Sequence, residues 1–375
     1  MAGIYVHIPF CKKACTYCNF HFSTTLSQKK LLLEAIELEI RKEALTSKHR
    51  STIQTVYFGG GTPSILDVEE LEKLMIAVRQ FDVHPAAEVT LEAHPDDIDP
   101  QKLKAWKAAG INRLSVGIQS FNEDELRWMN RAHNAAQAMR CLEDISDAGF
   151  TSYSADLIYG SPLLSDEGLL HNLDILVKNR APHISCYALT VEPKTVLDHN
   201  IRNRLSPNVS SGKQSAQFIL VMNFLRQAGY EHYEISNFAL PGFRSRHNSS
   251  YWKGLPYYGF GPSAHSFNGN DIRKWNVNNN SLYAKNILSD SAMATTEHLT
   301  ESEKWNEFVM ISIRTIEGIS INRSEREFGR AATENLLRES NQWIQGGKMV
   351  HDDNMLFLTD EGKLFADGIA ASLFA

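Results

Sequence analysis

Apolar and β-branched residues gather in short runs at residues 4–8, 55–58, 88–92, 113–117, 152–158 and 183–189, lengths that suit strands better than helices. Between them, at 31–45, 68–81, 100–109, 135–148 and 169–178, apolar positions recur three and four apart, and most of these stretches follow a Ser, Asp or Pro able to start a helix. Six strands alternating with helices predict a parallel sheet, because parallel neighbours need the crossover that a helix supplies. The βα unit fits either an open doubly wound sheet or a (β/α) barrel, and spacing alone does not choose between them.

The pattern changes after residue 235. Asn268-Gly-Asn-Asp271 and Asn278-Asn-Asn-Ser281 interrupt the apolar positions and read as loops or a linker. Helical patterns then return at 301–313, 324–328 and 333–345, followed by strands at 349–351 and 355–358 around an Asp352-Asp-Asn354 turn, and a last helix from 360. That order matches a winged helix. The expected division is a βα core over 1–235, a connecting segment over 236–299 and a small winged-helix-like α+β domain over 300–375.

Charge narrows the partners. The chain carries 38 Lys and Arg against 44 Asp and Glu, a net of −6, which argues against a surface built to neutralise phosphates. Residues 300–375 hold 8 basic against 13 acidic residues, a net of −5, so the winged-helix order comes without the charge that DNA binding needs, and a protein-contact or lid role is expected instead. No basic, apolar leader begins the chain, and no run approaches the roughly 18 apolar residues of a membrane span. The expectation is a cytoplasmic protein that binds no nucleic acid, with peripheral membrane contact left open. Five cysteines in 375 residues are too few for a disulfide framework.

Three of those cysteines lie together in Cys11-Lys-Lys-Ala-Cys15-Thr-Tyr-Cys18, directly after the first strand. Three thiolates within eight residues can converge on an iron–sulfur centre or, completed by His7 or His21, on zinc. Three ligands on a four-iron cluster would leave one iron open to a cofactor or substrate. Cys141 and Cys186 fall in helix and strand patterns and read as small buried apolar residues. Polar groups recur at the other strand ends: Gly59-Gly60-Gly61-Thr62 after the second, Glu92 at the third, Gln119 after the fourth and Asp156 late in the fifth. Each alone reads equally well as a cap or a turn, but together they match a barrel whose chemistry collects at the C-terminal mouth.

These residues resemble the radical S-adenosylmethionine (SAM) superfamily, whose signature is C-x3-C-x2-C after the first strand of a partial (β/α)6 barrel. Tyr5-Val-His-Ile-Pro-Phe-Cys11, Tyr57-Phe-Gly-Gly-Gly-Thr-Pro-Ser64, Ser115-Val-Gly-Ile-Gln-Ser-Phe121, Arg131-Ala-His133 and Asp156-Leu-Ile-Tyr-Gly160 are similar to the oxygen-independent coproporphyrinogen III oxidase group. The resemblance covers nearly the whole chain. It implies a 4Fe–4S cluster on Cys11, Cys15 and Cys18, an external reductant, and SAM chelated at the open iron and cleaved to a 5′-deoxyadenosyl radical. It further implies SAM contacts from Tyr5, Tyr17, Gly60, Gly61, Thr62, Glu92, Gln119, Arg131 and Asp156. Among them, the Arg131 guanidinium suits a carboxylate and the three acids and amides suit ribose hydroxyls or an amine.

Two departures refine the expectation. The oxidising members carry a further cysteine two residues after the third, where this chain has Phe20, and His94 replaces a usual Asn. Arg246-His-Asn-Ser-Ser-Tyr-Trp252 instead resembles the H-N-x-x-Y-W element of the HemW-type heme chaperones. That branch implies heme as cargo, delivery to heme-accepting apoproteins, and His247 as a heme ligand, with His265 a second candidate. Tyr251, Trp252, Tyr257, Tyr258 and Phe260 could then lie against the macrocycle, or form a hydrophobic seam that needs no ligand. A coproporphyrinogen III dehydrogenase and a radical SAM enzyme with another substrate are the alternatives.

Overall fold

The computed structural model describes residues 1–47, 51–291 and 294–375. Strands β1 (Ala2–Ile8), β2 (Ile53–Gly60), β3 (Val83–Ala93), β4 (Arg113–Gln119), β5 (Tyr153–Tyr159) and β6 (His183–Ala188) pair in chain order, all parallel. Helices α1 (Lys29–Ser47), α2 (Val68–Val78), α3 (Pro100–Ala109), α4 (Glu123–Trp128), α5 (Ala135–Asp147) and α6 (Asp166–Lys178) occupy the connections. Their starts are chemically marked. Asp99 accepts from the Gln101 and Lys102 amides ahead of Pro100, and Asn134 and Gln137 exchange backbone-to-side-chain bonds of 2.9 and 3.0 Å at the head of α5.

Strand alternation divides the six strands into two faces. Ile4, Val6 and Ile8, Val56 and Phe58, Leu114, Val116 and Ile118, and Tyr153, Ala155 and Leu157 join one buried cluster with Leu32 and Ile36 of α1, Leu71 of α2 and Trp106 of α3. Cys141 and Cys186 lie in that cluster. The intervening positions carry Tyr57, Glu92, Ser115, Gln119, Asp156 and Ser185 to the other face, which therefore is polar. A curved parallel sheet with an apolar outside under helices and a polar inside is the partial barrel expected from the sequence.

After β6 come α7 (Val196–Arg202) and α8 (Ser211–Gln227), then β7 (Glu231–Glu234) and β8 (Asn237–Ala239), which add antiparallel strands beyond β6. Helix α9 (Arg246–Trp252) precedes β9 (Tyr257–Phe260), which pairs parallel to β1, and β10 (His265–Phe267) and β11 (Ile272–Trp275) continue that side. Helix α10 (Asn280–Leu288) and β12 (Thr295–His298) complete a 12-stranded sheet. Of the two readings of the Asn-rich segments, loops or a linker, the structure has loops between short elements. Asn268 is a turn residue whose side chain accepts from the amides of Asn270, Asp271 and Ile272, and Asn279 caps α10 through the Leu282 amide at 2.9 Å.

The chain ends in a second core. Helix α11 (Glu301–Ile313), β13 (Ile319–Ser320), α12 (Ile321–Phe328), α13 (Arg330–Gln345), β14 (Met349–Asp352) and β15 (Met355–Leu358) follow the order of a winged helix, with α14 (Asp360–Lys363) and α15 (Ala366–Ser372) closing it. Trp305, Phe308, Leu336, Leu356 and Ile369 are its buried centre. Among the described residues, no helix is long and apolar enough to cross a membrane.

Candidate functional site

The cysteine loop leaves β1 at the C-terminal mouth and is pinned on several sides. The Cys11 amide donates to Ser23 at 3.0 Å, the Thr16 amide to Met129 at 3.1 Å, and Asn130 Nδ2 to Ala14 at 2.8 Å. Lys12 Nζ reaches back to Asp96 at 2.8 Å and also pairs with Asp97. On the β2 side the Gly61 amide donates to Ile8 at 2.9 Å. A Cβ at Gly61 would stand 2.7 Å from the Phe10 carbonyl oxygen, so only glycine lets the turn after β2 approach the loop this closely.

Cys11, Cys15 and Cys18 are half-buried and face a cavity of about 630 Å³ that opens at the mouth and runs down the polar inside of the barrel. Thr62 Oγ1 lies 3.5 Å from Cys11 Sγ, and Arg131 Nη1 donates to Cys15 Sγ at 3.2 Å. Burial pushes the Cys11 thiol up to about 11 against the Thr62 hydroxyl and the Arg131 charge, and raises that of Cys18. Thiols held this way stay protonated until a metal takes them as thiolates.

Among the described residues, no three His, Cys, Asp or Glu side chains come close enough to hold a single metal ion. His7 Nε2 is bonded to the His21 carbonyl at 2.9 Å, and His21 Nε2 to Asn280 at 2.6 Å. Three thiols spread around one cavity suit a larger polynuclear centre.

Below the thiols lies the strand-end polar set. Glu92 accepts from Tyr57 Oη at 2.9 Å and the Gly60 amide at 3.0 Å, and Asp156 from Ser115 at 3.3 Å. Burial lifts the Glu92 carboxyl to about 7 despite the Tyr57 bond, and that of Asp156 to about 6 despite Ser185, Ser115 and the charges of Arg113 and Arg131. Arg131 also donates to the Gly117 carbonyl at 2.5 Å. Gln119 holds a left-handed backbone, φ 69°, at the end of β4. Three buried polar atoms here lack any partner: Gln119 Oε1, Arg131 Nε and Asp156 Oδ1. Orphaned atoms of both signs lining one cavity are the complement of a polar ligand with donors and acceptors.

The structure thus brings Cys11, Cys15, Cys18, Tyr17, Gly60, Gly61, Thr62, Glu92, Gln119, Arg131 and Asp156 to one cavity. Tyr5 lies behind Tyr57, stacked 6.0 Å from it, with its hydroxyl 3.2 Å from His7 Nδ1. His247 does not line this cavity. It is 1% exposed, with Nδ1 2.8 Å from Thr55 Oγ1 and Nε2 3.0 Å from Tyr251 Oη. His265 is exposed, its ring stacked 5.8 Å from Trp275. The aromatic run behaves as a seam, with Tyr258 and Phe260 against Phe81, although Tyr257 and Tyr258 also face a second cavity of about 380 Å³.

Sequence reasoning missed Tyr57, Arg113, Ser115, Ser185 and Asn248, all of which line the main cavity. Four of them share the inward face of their strands: Tyr57 lies two residues before Gly59, Arg113 and Ser115 six and four before Gln119, and Ser185 opposite Asp156. Asn248 had no such signal, because it reaches the cavity from α9 rather than from a barrel strand.

A partial barrel with three thiols in its first loop and a polar cofactor cavity beneath them is the architecture of a radical SAM protein. The model described as radical SAM superfamily matches residues 5–176, and the HemN C-terminal domain matches residues 299–365. The chain is 32% identical to the heme chaperone HemW of Bacillus subtilis (strain 168), with 98% of each chain covered. It is 34% identical to that of Mycobacterium tuberculosis (strain ATCC 25618 / H37Rv), over 99% of this chain and 94% of the relative. Among solved structures, coproporphyrinogen III oxidase (HemN) from Escherichia coli superposes with a TM-score of 0.87 at 25% identity, covering 100% of this chain and 90% of that one. The chain belongs to the HemW family of the radical SAM superfamily. Membership of that superfamily implies an iron–sulfur cluster and SAM, and the thiols and orphaned polar atoms fit both.

Proposed function

We propose that this protein is a heme chaperone that binds heme and passes it to heme-accepting apoproteins in the cytoplasm, on a scaffold carrying a 4Fe–4S cluster and SAM. The observation that carries the reading is the full-length likeness to relatives named heme chaperone HemW. Cys11, Cys15 and Cys18 hold the cluster, whose reduced form supplies an electron for cleaving the SAM sulfonium bond. Arg131 pairs with the SAM carboxylate, Glu92 and Asp156 take the ribose hydroxyls or amine, and Gln119 accepts one further donor. Gly60, Gly61 and Thr62 bound the methionyl side, and Tyr5 and Tyr17 are further SAM contacts. His247, in the His-Asn-Ser-Ser-Tyr-Trp element, and His265, an exposed imidazole beside Trp275, are the two candidate axial ligands for heme iron.

Likeness to the coproporphyrinogen III oxidase structure favours a second reading, a porphyrinogen dehydrogenase. Position 20 separates the two. Phe20, 70% exposed at the cavity mouth, can neither ligate nor transfer through sulfur as the cysteine of the oxidising members does. Anaerobic reconstitution tests the proposal. Roughly four irons and four sulfides per chain, lost in the Cys11, Cys15, Cys18→Ala triple variant, and saturable heme binding without turnover of coproporphyrinogen III are expected. Tightly held zinc without sulfide would defeat the cluster, and porphyrinogen turnover would defeat the chaperone reading.

A further inference from the structure

In the wall of the cavity that the thiols face, one hydrogen-bonded chain is left unused by the ligand set above. His94, at the end of β3, has an 11% exposed side chain that reaches the cavity wall. Its Nδ1 is bonded to Asp96, and its Nε2 lies 3.4 Å from His133 Nδ1, with the two rings edge to face at 4.7 Å. His133 Nε2 lies 3.0 Å from the Ile118 carbonyl oxygen.

Hydrogen-bond direction restricts where the protons can be. A carbonyl oxygen only accepts, so His133 Nε2 carries hydrogen and its Nδ1, in the neutral ring, is a lone pair. Burial, with Arg131 and His94 nearby, pushes His133 down to about 2, which keeps that ring neutral. Asp96 is an acceptor too: burial opposes its charge, yet His94 and Lys12 hold its carboxyl well below the usual range. His94 therefore has an acceptor facing each ring nitrogen. A neutral imidazole donates through only one, leaving a lone pair against a lone pair at the other, whereas an imidazolium satisfies both.

The charges around His94 are mixed. Its own segment supplies Glu92, Asp96 and Asp97; the cysteine loop supplies Lys12; α3 sends Lys102 to within 3.5 Å of Asp97; and the segment after α4 supplies Arg131 and His133. Burial and Arg131 lower His94 in the metal-free chain, against the pull of Asp96 and Asp97. Added negative charge in the cavity favours the imidazolium, and reducing a thiolate-bound cluster by one electron adds such a charge.

We propose that His94 is the proton acceptor coupled to reduction of the cluster on Cys11, Cys15 and Cys18, with Asp96 and His133 as the two groups that receive the imidazolium. The proposal rests on the cluster assignment made above. One electron from an external one-electron reductant enters the cluster, one proton from solvent completes His94, and the site gains no net charge. The neutral ring and the imidazolium occupy the same place, so no movement of the chain is required.

The test is potentiometry of the reconstituted full-length protein, with the reduced cluster followed by electron paramagnetic resonance across pH. In the wild type the midpoint potential should fall with rising pH through a window, by about 59 mV for each tenfold drop in proton concentration. His94→Asn should be flat over that window. Asp96→Asn, which keeps a hydrogen-bonding group but loses the counter-charge, should move the window to lower pH, and so serves if His94→Asn does not load the cluster. A cluster present in the wild type with a pH-independent potential would overturn the proton role alone, as would equal slopes in the wild type and His94→Asn. Failure of the wild type to show any cluster signal would overturn the cluster assignment and this proposal with it.

Discussion

Glu92 and Asp156 show what the cavity asks of a ligand. Their carboxyls titrate at about 7 and about 6, above the values of an unfolded chain, so the folded state holds their protons more tightly. In the ligand-free protein this costs stability as pH rises from about 4 to about 7, because the unfolded chain releases those protons first. A ligand bearing an amine and a sulfonium reverses the preference. SAM binding should therefore release protons near neutrality and weaken by roughly tenfold from pH 8 to pH 6. Calorimetry in buffers of different ionisation enthalpy would measure the release, and affinity indifferent to pH would remove both carboxyls from the binding set.

His247 carries the opposite lesson at the same scale. Its imidazole joins Thr55 and Tyr251 inside the barrel and stacks 4.9 Å from Tyr57. His247→Ala leaves two buried hydroxyls without partners and should lower unfolding stability by about 1–3 kcal/mol. His265→Ala should instead alter the Soret band of bound heme while leaving stability within about 0.5 kcal/mol. Denaturant melts and heme spectra of the two variants separate the roles; a changed Soret band in His247→Ala alone would make that residue the ligand.

Among the elements, the turn after β2 decides how the cysteine loop sits. Gly61→Ala places a methyl against the Phe10 backbone, with atoms 2.7 and 2.8 Å away, and neither segment can yield without moving the other. The variant should fold but load substantially less iron and sulfide than the wild type; normal loading would show that the close approach is not needed. The same scale explains what the sequence disclosed. Strand runs from 4–8 to 183–189 were legible because each gathers apolar and β-branched residues between stretches of helical spacing. β9, β10, β11 and β12 were not, since strands of three or four residues are too short to show a pattern and their Asn-rich turns resemble linker. The site cysteines were legible through spacing, whereas Asn248 depends on where α9 docks, with the Arg246 and His247 amides 3.1 and 2.9 Å from Glu88.

Across the whole molecule, the two cores meet along β7. The Ile316 amide donates to the Tyr233 carbonyl at 3.0 Å, Arg226 pairs with Asp360 and Arg244 joins Glu231 to Glu317, each at 2.6 Å. Ile235 packs against both hydrophobic clusters. The ion pairs are partly exposed and each adds at most about 1 kcal/mol, so apolar contact and the backbone bond carry most of the junction. The C-terminal domain is thus fixed beside the barrel through β7. A barrel that retains its cofactor cavity, joined to relatives named for heme handling, makes transfer of heme the central claim. The most direct measurement loads the reconstituted protein with one equivalent of heme, adds a heme-free acceptor apoprotein, and follows the Soret band. A band that shifts to that of the acceptor faster than free heme release allows is the predicted result; heme that never binds in a saturable manner, or never leaves for the acceptor, would contradict it.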